Sequence, residues 1–263
     1  MKKLALIIAL LLPVAVYAQD NETGARASVG INYKIQKGLH LTLEEELRIG
    51  DGLDNIDRLQ TTIGLTYKPV KFIKLGAGYS LINPYKQSWG KFNYPRHRFF
   101  FSAAGYLSAG DFQFSLKETI MLTHRTGDFN EYQVNGDAFA LKSKIGVKYK
   151  ASKTFKPGFA FEMRTQLNGP WGYTYGSQAT NASGNTYYPY KHTGYSHAYN
   201  DRYRFSLTGD IKLSANHTLT PYLLYDIYSE YELDTNSSGE RLFSAAYADY
   251  NKFTFGISYV FSF

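Results

Sequence analysis

Strict two-residue alternation is the feature that most constrains this chain. Between positions 26 and 35, Ala27, Val29, Ile31, Tyr33 and Ile35 are apolar, while Arg26, Ser28, Gly30, Asn32 and Lys34 interleave with them. Successive side chains of an extended chain point to opposite faces, so this segment is expected to be a strand with one apolar and one polar face. After Gln36-Lys37-Gly38 the pattern restarts, with Leu39, Leu41, Leu43, Leu47 and Ile49 set against His40, Thr42, Glu44, Glu46 and Arg48. The same alternation predicts strands near 58–68, 72–82, 96–107, 111–122, 139–149, 155–167, 201–213, 218–229 and 252–263. That makes eleven, each of about ten to thirteen residues, whereas strands of soluble proteins have about five or six. A ten-residue strand tilted by about 45° spans about 25 Å, the height of the apolar band of an outer-membrane barrel.

The rest of the chain agrees. Lys2 and Lys3 precede an apolar run from Leu4 to Leu12, and Val16-Tyr17-Ala18 suits a signal peptidase, so residues 1–18 are expected to be a cleaved export signal and 19–263 a single barrel domain. No later apolar run is long enough for a transmembrane helix, and a chain without cysteine has neither a disulfide framework nor a lipid-anchored amino terminus. Loss of the two signal lysines lowers the formal charge of +7 to +5. A balance that modest does not point to nucleic acid.

Four short turns share one pattern: Tyr33-Lys34 then Leu39, Tyr67-Lys68 then Ile73, Tyr149-Lys150 then Phe155, and more loosely Ile211-Lys212 then Leu219. They are expected to be one hairpin unit repeated around a closed sheet, with the tyrosines in an aromatic girdle at one membrane interface. Long connections alternate with them at 50–57, 83–95, 123–138, 168–200 and 230–241. The expected fold is therefore all-β, an up-and-down antiparallel transmembrane barrel with a narrow basic lumen. An odd count would put the two termini at opposite ends, while bacterial single-chain barrels are normally even, so the sequence leaves ten to twelve strands open. A split of 241–263 at Asp249–Asn251 would give twelve, yet alternation runs unbroken from Phe243 to Phe263.

The strings LTLEEELR (41–48), RHRF (96–99), DRYRF (201–205) and the closing GISYVFSF (256–263) resemble the uncharacterised outer-membrane barrels grouped as domain-of-unknown-function family 2490. The resemblance covers nearly all of 19–263. It implies fold and location in the outer membrane of a Gram-negative bacterium, and no catalytic residue or substrate. The closing aromatics Tyr259, Phe261 and Phe263 also resemble the signal read by the barrel-assembly machinery, which with outer-membrane lipid is the expected partner of a monomer.

If the apolar positions face lipid, fifteen basic and six acidic residues face the lumen. Those expected to matter are Glu44, Glu46, Arg48, Arg58, Arg98, Lys142, Lys144, Glu162, Arg164, Arg202, Arg204 and Asp210. Paired, they would form a closed internal network; unpaired, a path that prefers anions. Glu45 and Glu118 fall on the apolar parity, which a bulge or an interfacial position would explain, a functional lipid-facing acid being the alternative. Residues 168–200 are expected to form a loop, packing over the mouth or presenting Trp171, Tyr173, Tyr175, Tyr188, His192 and His197 to a ligand. His40, Thr42 and Glu44 share a strand face, but without a nucleophile beside a base they state no mechanism. No catalytic residue, metal or cofactor is therefore expected. A structural barrel or narrow anion-preferring pore is the leading expectation, with a lipid- or lipopolysaccharide-modifying enzyme and a ligand-binding barrel as alternatives.

Overall fold

The computed structural model describes residues 21–263; the expected export signal lies outside the described residues. Its strands are β1 (Asn21–Gln36), β2 (Leu39–Ile49), β3 (Ile56–Val70), β4 (Ile73–Lys86), β5 (Lys91–Phe92), β6 (Arg96–Ala109), β7 (Phe112–Arg125), β8 (Asp137–Tyr149), β9 (Phe155–Thr174), β10 (Ala179–Thr180), β11 (Thr186–Lys212), β12 (His217–Thr235) and β13 (Arg241–Ser262). Two of these, β5 and β10, are two-residue extensions of hairpins. The other eleven are long, and each overlaps one of the eleven expected from alternation. All-β architecture and barrel closure are as expected.

Closure departs from a purely antiparallel barrel. Every sequential pair of long strands is antiparallel, so with eleven of them the first and last point the same way. They pair in parallel, in register from Asn21 against Asn251 to Asn32 against Ser262. The backbone NH of Lys34 donates to the Phe263 carbonyl at 2.8 Å, and Ser28 Oγ donates to Ser258 Oγ at 2.8 Å across this seam. The two ends of the described chain accordingly lie at opposite rims. β13 is unbroken from Arg241, so no split at Asp249–Asn251 occurs.

The outside is an apolar band. Val29, Ile31, Leu43, Ile63, Phe99, Leu116, Ile145, Phe255 and Ile257 are all exposed on it. At the short-turn rim, Tyr33, Tyr67, Phe72, Phe112, Tyr149 and Phe263 are exposed, and Tyr33 meets Phe263 at 5.1 Å between ring centroids. This is the girdle the tyrosine repeat predicts.

Glu45 and Glu118 do break the band, and no bulge excuses either. The β2–β3 register is unbroken from Leu39 to Arg48, and that of β7–β8 throughout. Each acid sits about six residues up its strand from the nearest short turn, with Leu43 and Leu47, or Leu116 and Ile120, beside it on the same outward face. Each is met across the ladder by a hydroxyl: Thr61 Oγ1 donates to Glu45 at 2.6 Å and Ser143 Oγ to Glu118 at 2.6 Å. Sequence parity was right about their direction; the interfacial or bulged position is not what the fold shows.

Inside, two aromatic rings lie over glycines that the charge pattern alone does not reveal. A Cβ on Gly78 would meet the Phe100 ring at 2.4 Å and the Ile63 carbonyl oxygen at 2.6 Å. A Cβ on Gly256 would meet the Tyr222 ring at 2.0 Å. Because the Ile63 oxygen belongs to the ladder, it cannot rotate away. Gly78→Ala is therefore expected to cost about 1–3 kcal/mol, read as a lower temperature for loss of the folded band in heat-modifiable electrophoresis. Gly30→Ala, whose Cβ would have no neighbour closer than 3.5 Å, should leave that temperature unchanged or raised. Replacing Glu118 with Leu and Ser143 with Ala removes both members of a polar pair from the apolar band. That double variant should melt at a higher temperature by the same assay, an increment of about 1 kcal/mol; a lower one would mean the acid serves the folded barrel.

Candidate functional site in the lumen

The two-residue period turns the polar face of every strand inward, and lateral register decides which charges meet. Along one lateral row, Lys144 on β8 stands against Glu162 on β9, Glu162 against Arg204 on β11, Arg204 against Asp226 on β12, Asp226 against Lys252 on β13, and Lys252 across the seam against Glu22 on β1. Signs alternate through six strands. The bonds are direct: Arg204 Nε donates to Asp226 Oδ1 at 2.5 Å and its Nη2 to Oδ2 at 2.8 Å, Arg202 Nη2 reaches Glu162 at 2.5 Å, and Lys252 Nζ reaches Glu22 at 2.8 Å. One turn of the pleat toward the long hairpins, Arg164 Nε donates to Asp201 Oδ1 at 2.6 Å, and Gln166 donates to the other oxygen at 2.7 Å. Asp226 is 0% and Asp201 2% exposed. Carboxylates so fully removed from water are held by the guanidinium and amide donors that replace their lost hydration.

The remaining wall lacks this compensation. On β1, β2 and β3 the corresponding row reads Arg26, Arg48, Arg58. On β6 and β7, Arg96 stands directly against Arg125, with Arg98 against Thr123. Arg48 is held by Glu46 at 2.5 Å and Arg58 by Asp57 at 3.0 Å. Among the described residues, Arg26, Arg96, Arg98 and Arg125 form no ion pair; Arg98 Nε donates to Thr123 Oγ1 at 3.0 Å, and Arg125 Nε is buried with no hydrogen-bond partner.

Both walls border one cavity of about 950 Å³, lined by eleven cationic and five acidic side chains. Of the residues expected from sequence, Arg48, Arg58, Arg98, Lys142, Arg164, Arg202 and Arg204 line it. Glu44, Glu46, Lys144, Glu162 and Asp210 share the lumen-facing parity but lie nearer the short turns, outside that lining. Asp210 is taken up by Lys148 and by Thr220 Oγ1, the latter at 3.2 Å. Arg96, Arg125, Asp57, Asp201 and Glu230 line the cavity and escaped the sequence reading. Arg96 was legible as the inward neighbour of Arg98; Arg125 and Glu230 lie just past the expected strand ends.

The mouth is covered by a different segment from the one expected. Residues 168–200 are mostly strand: β9 and β11 form a long hairpin paired as far as Tyr190 against Thr174, with register shifts at His192–Gly194, Gly194–His197, His197–Tyr199 and Asn200–Arg202. It is residues 126–136 that reach over the cavity, past β9 and β11, to β12. Asn130 Nδ2 donates to Thr235 Oγ1 at 3.3 Å and Gln133 Nε2 to the Thr235 carbonyl at 3.0 Å, while Gln133, Val134 and Asn135 line the cavity. The aromatic candidates do not converge. Tyr173, Tyr175 and Tyr188 are exposed on the hairpin. His192 lies edge-on to Tyr132 at 5.5 Å, and His197 stacks on Trp171 at 4.8 Å and meets the Tyr247 hydroxyl at 3.0 Å.

Other histidines bond Tyr79, Asp137 and Tyr259. No histidine among the described residues shares a hydrogen bond with a serine or threonine hydroxyl in these contacts, and Thr42 beside His40 donates to the Gly64 carbonyl at 3.1 Å. No group of three metal-ligating side chains is present among the described residues.

No curated protein matches the chain. Among solved structures it is similar to the NanC porin, at 12% identity and a TM-score of 0.43 over 91% of this chain and 97% of that one. It is also similar to OmpT, an outer-membrane protein of Vibrio cholerae, at 9% identity and a TM-score of 0.30 over 84% of each chain. Both likenesses are too weak to speak to what this barrel binds or conducts. A family model matches residues 27–262, nearly the whole barrel, and the chain therefore belongs to the family described as protein of unknown function DUF2490.

Proposed function

We propose that this protein is an outer-membrane barrel that gives small anions a narrow path through an arginine-lined lumen. One observation carries the reading: a cavity lined by eleven cations and five acids, in which the acids are concentrated on one wall. The apolar exterior, the aromatic rim and the family support the membrane location. A constriction lined by one sign of charge concentrates the opposite ion and excludes its own. The segment 126–136 presents the uncharged Gln133, Val134 and Asn135 to the cavity, so it limits size while the wall beneath selects sign.

The two walls should respond differently to substitution. In planar bilayers the purified protein is expected to show a reversal potential favouring anions, and the preference should fade between 0.1 M and 1 M salt as the Debye length falls from about 10 Å to about 3 Å. Arg26→Gln with Arg98→Gln should weaken that preference while leaving the folded band intact, because neither guanidinium makes a direct ion pair among the described residues. Cation preference in the unaltered protein would refute the reading.

Arg202 and Arg204 behave otherwise, although sequence alone makes them equivalent candidates for selectivity. Each holds a buried carboxylate, and Arg204→Gln removes both guanidinium hydrogen bonds from Asp226, leaving Arg202 Nε 3.9 Å away as its remaining ion-pair partner. The expected result is a loss of about 3–5 kcal/mol, seen as unfolding at lower temperature or urea concentration. Arg204→Gln combined with Asp226→Asn should recover most of it.

A further inference from the structure

The cationic wall is arranged for more than bulk attraction of counter-ions. Arg96 and Arg125 face one another directly across the β6–β7 ladder, a position in which like charges oppose pairing. Arg26 and Arg48 repeat that juxtaposition on β1–β2. On the opposite wall the like-charge row Lys142, Arg164 and Arg202 is offset by bonds from Arg164 to Asp201 and from Arg202 to Glu162; here the protein supplies only Glu46 and Asp57, to Arg48 and Arg58. Four guanidinium groups around one cavity form no ion pair among the described residues, and the buried Nε of Arg125 has nothing to donate to. Guanidinium presents planar, paired donors that match two oxygens of a single carboxylate or phosphate group. A chloride ion is one small spherical acceptor with no oxygen pair to match a guanidinium fork, whereas a solute with several oxygens can engage forks on more than one strand.

We propose that Arg26, Arg96, Arg98 and Arg125 form a binding site for a multiply charged oxyanion, a small solute bearing phosphate groups or several carboxylates. The site deepens the pore reading by naming what the lumen retains as distinct from what it passes. It is built from strands, so its geometry is fixed by the ladder, and the bound anion supplies the negative charge that this half of the wall lacks. The 126–136 segment, tied to β12 by the side chains of Asn130 and Gln133, borders the site at the long-hairpin rim.

The test uses the full barrel in detergent and in planar bilayers. Calorimetric titration with pyrophosphate and with citrate, at low salt, should give saturable binding of at least one of them, and the two arms distinguish phosphate from carboxylate recognition. Glucose should give none. Arg96→Gln with Arg98→Gln should weaken binding at least about tenfold, whereas Lys74→Gln, near the short-turn rim and outside the cavity, should not change it. If the double variant does not migrate as a folded barrel, Arg125→Gln alone is substituted, since that side chain holds no carboxylate. Absence of saturable binding to either anion, or equal weakening by Lys74→Gln, would overturn the site. Anion-selective current that neither anion blocks would leave the pore reading standing and remove this one; tight, Arg96-dependent binding in a barrel that passes no current would do the reverse.

Discussion

Backbone NH and CO groups cannot be left unpaired where lipid replaces water, and that single constraint governs the rest of the molecule. A sheet in a bilayer must close on itself. With eleven long strands it can do so only by laying the first beside the last in parallel. The seam therefore follows from the count, as does the placement of the two described ends at opposite rims. Closure also fixes lateral register all the way round, and register in turn decides which lumen charges become neighbours.

The interior solves one electrostatic problem in two ways. In one row through β8, β9, β11, β12, β13 and the start of β1, acids and bases alternate laterally, and Arg164 and Arg202 beside it bond Asp201 and Glu162, so buried charges there compensate each other and substitute for an apolar core. Through β2, β3, β6 and β7, the same inward positions carry mostly arginine. A barrel that needed charge only for packing would be as well served by alternation everywhere. The asymmetry is thus the feature of the lumen that structure alone does not require, and it is the one on which function is placed.

Much of the fold was legible because a period of two is hard to mimic. Each of the eleven expected strands exists, and Glu45 and Glu118 point outward as their parity said. What misled was composition at the mouth. Trp171, Tyr173 and Tyr175 alternate as a strand does, but the surrounding Gly, Asn and Ser suggested a loop, and the hairpin tolerates them by shifting register four times. The role of 126–136 could not be read at all, since it depends on contacts with residues about a hundred positions away. Parity likewise sorted charges into inside and outside without saying who faces whom. Arg98 and Arg204 look alike in sequence; one neighbours Thr123 and the other grips Asp226.

The parallel seam has a kinetic side. Its side chains join residues such as Ser28 and Ser258, which lie 230 positions apart, while, apart from a short β11–β13 contact at the long-hairpin rim, the other ladders between long strands join elements that follow one another along the chain. The hairpins can therefore form locally and add in order, but the ring cannot shut until the last strand exists. Until then the growing sheet carries two bare edges. Joining them brings the largest loop-closure entropy in the molecule and yields a parallel ladder, slightly weaker per residue than its antiparallel neighbours. Shutting the ring is thus the last pairing the chain can make, because both of its edges must already exist.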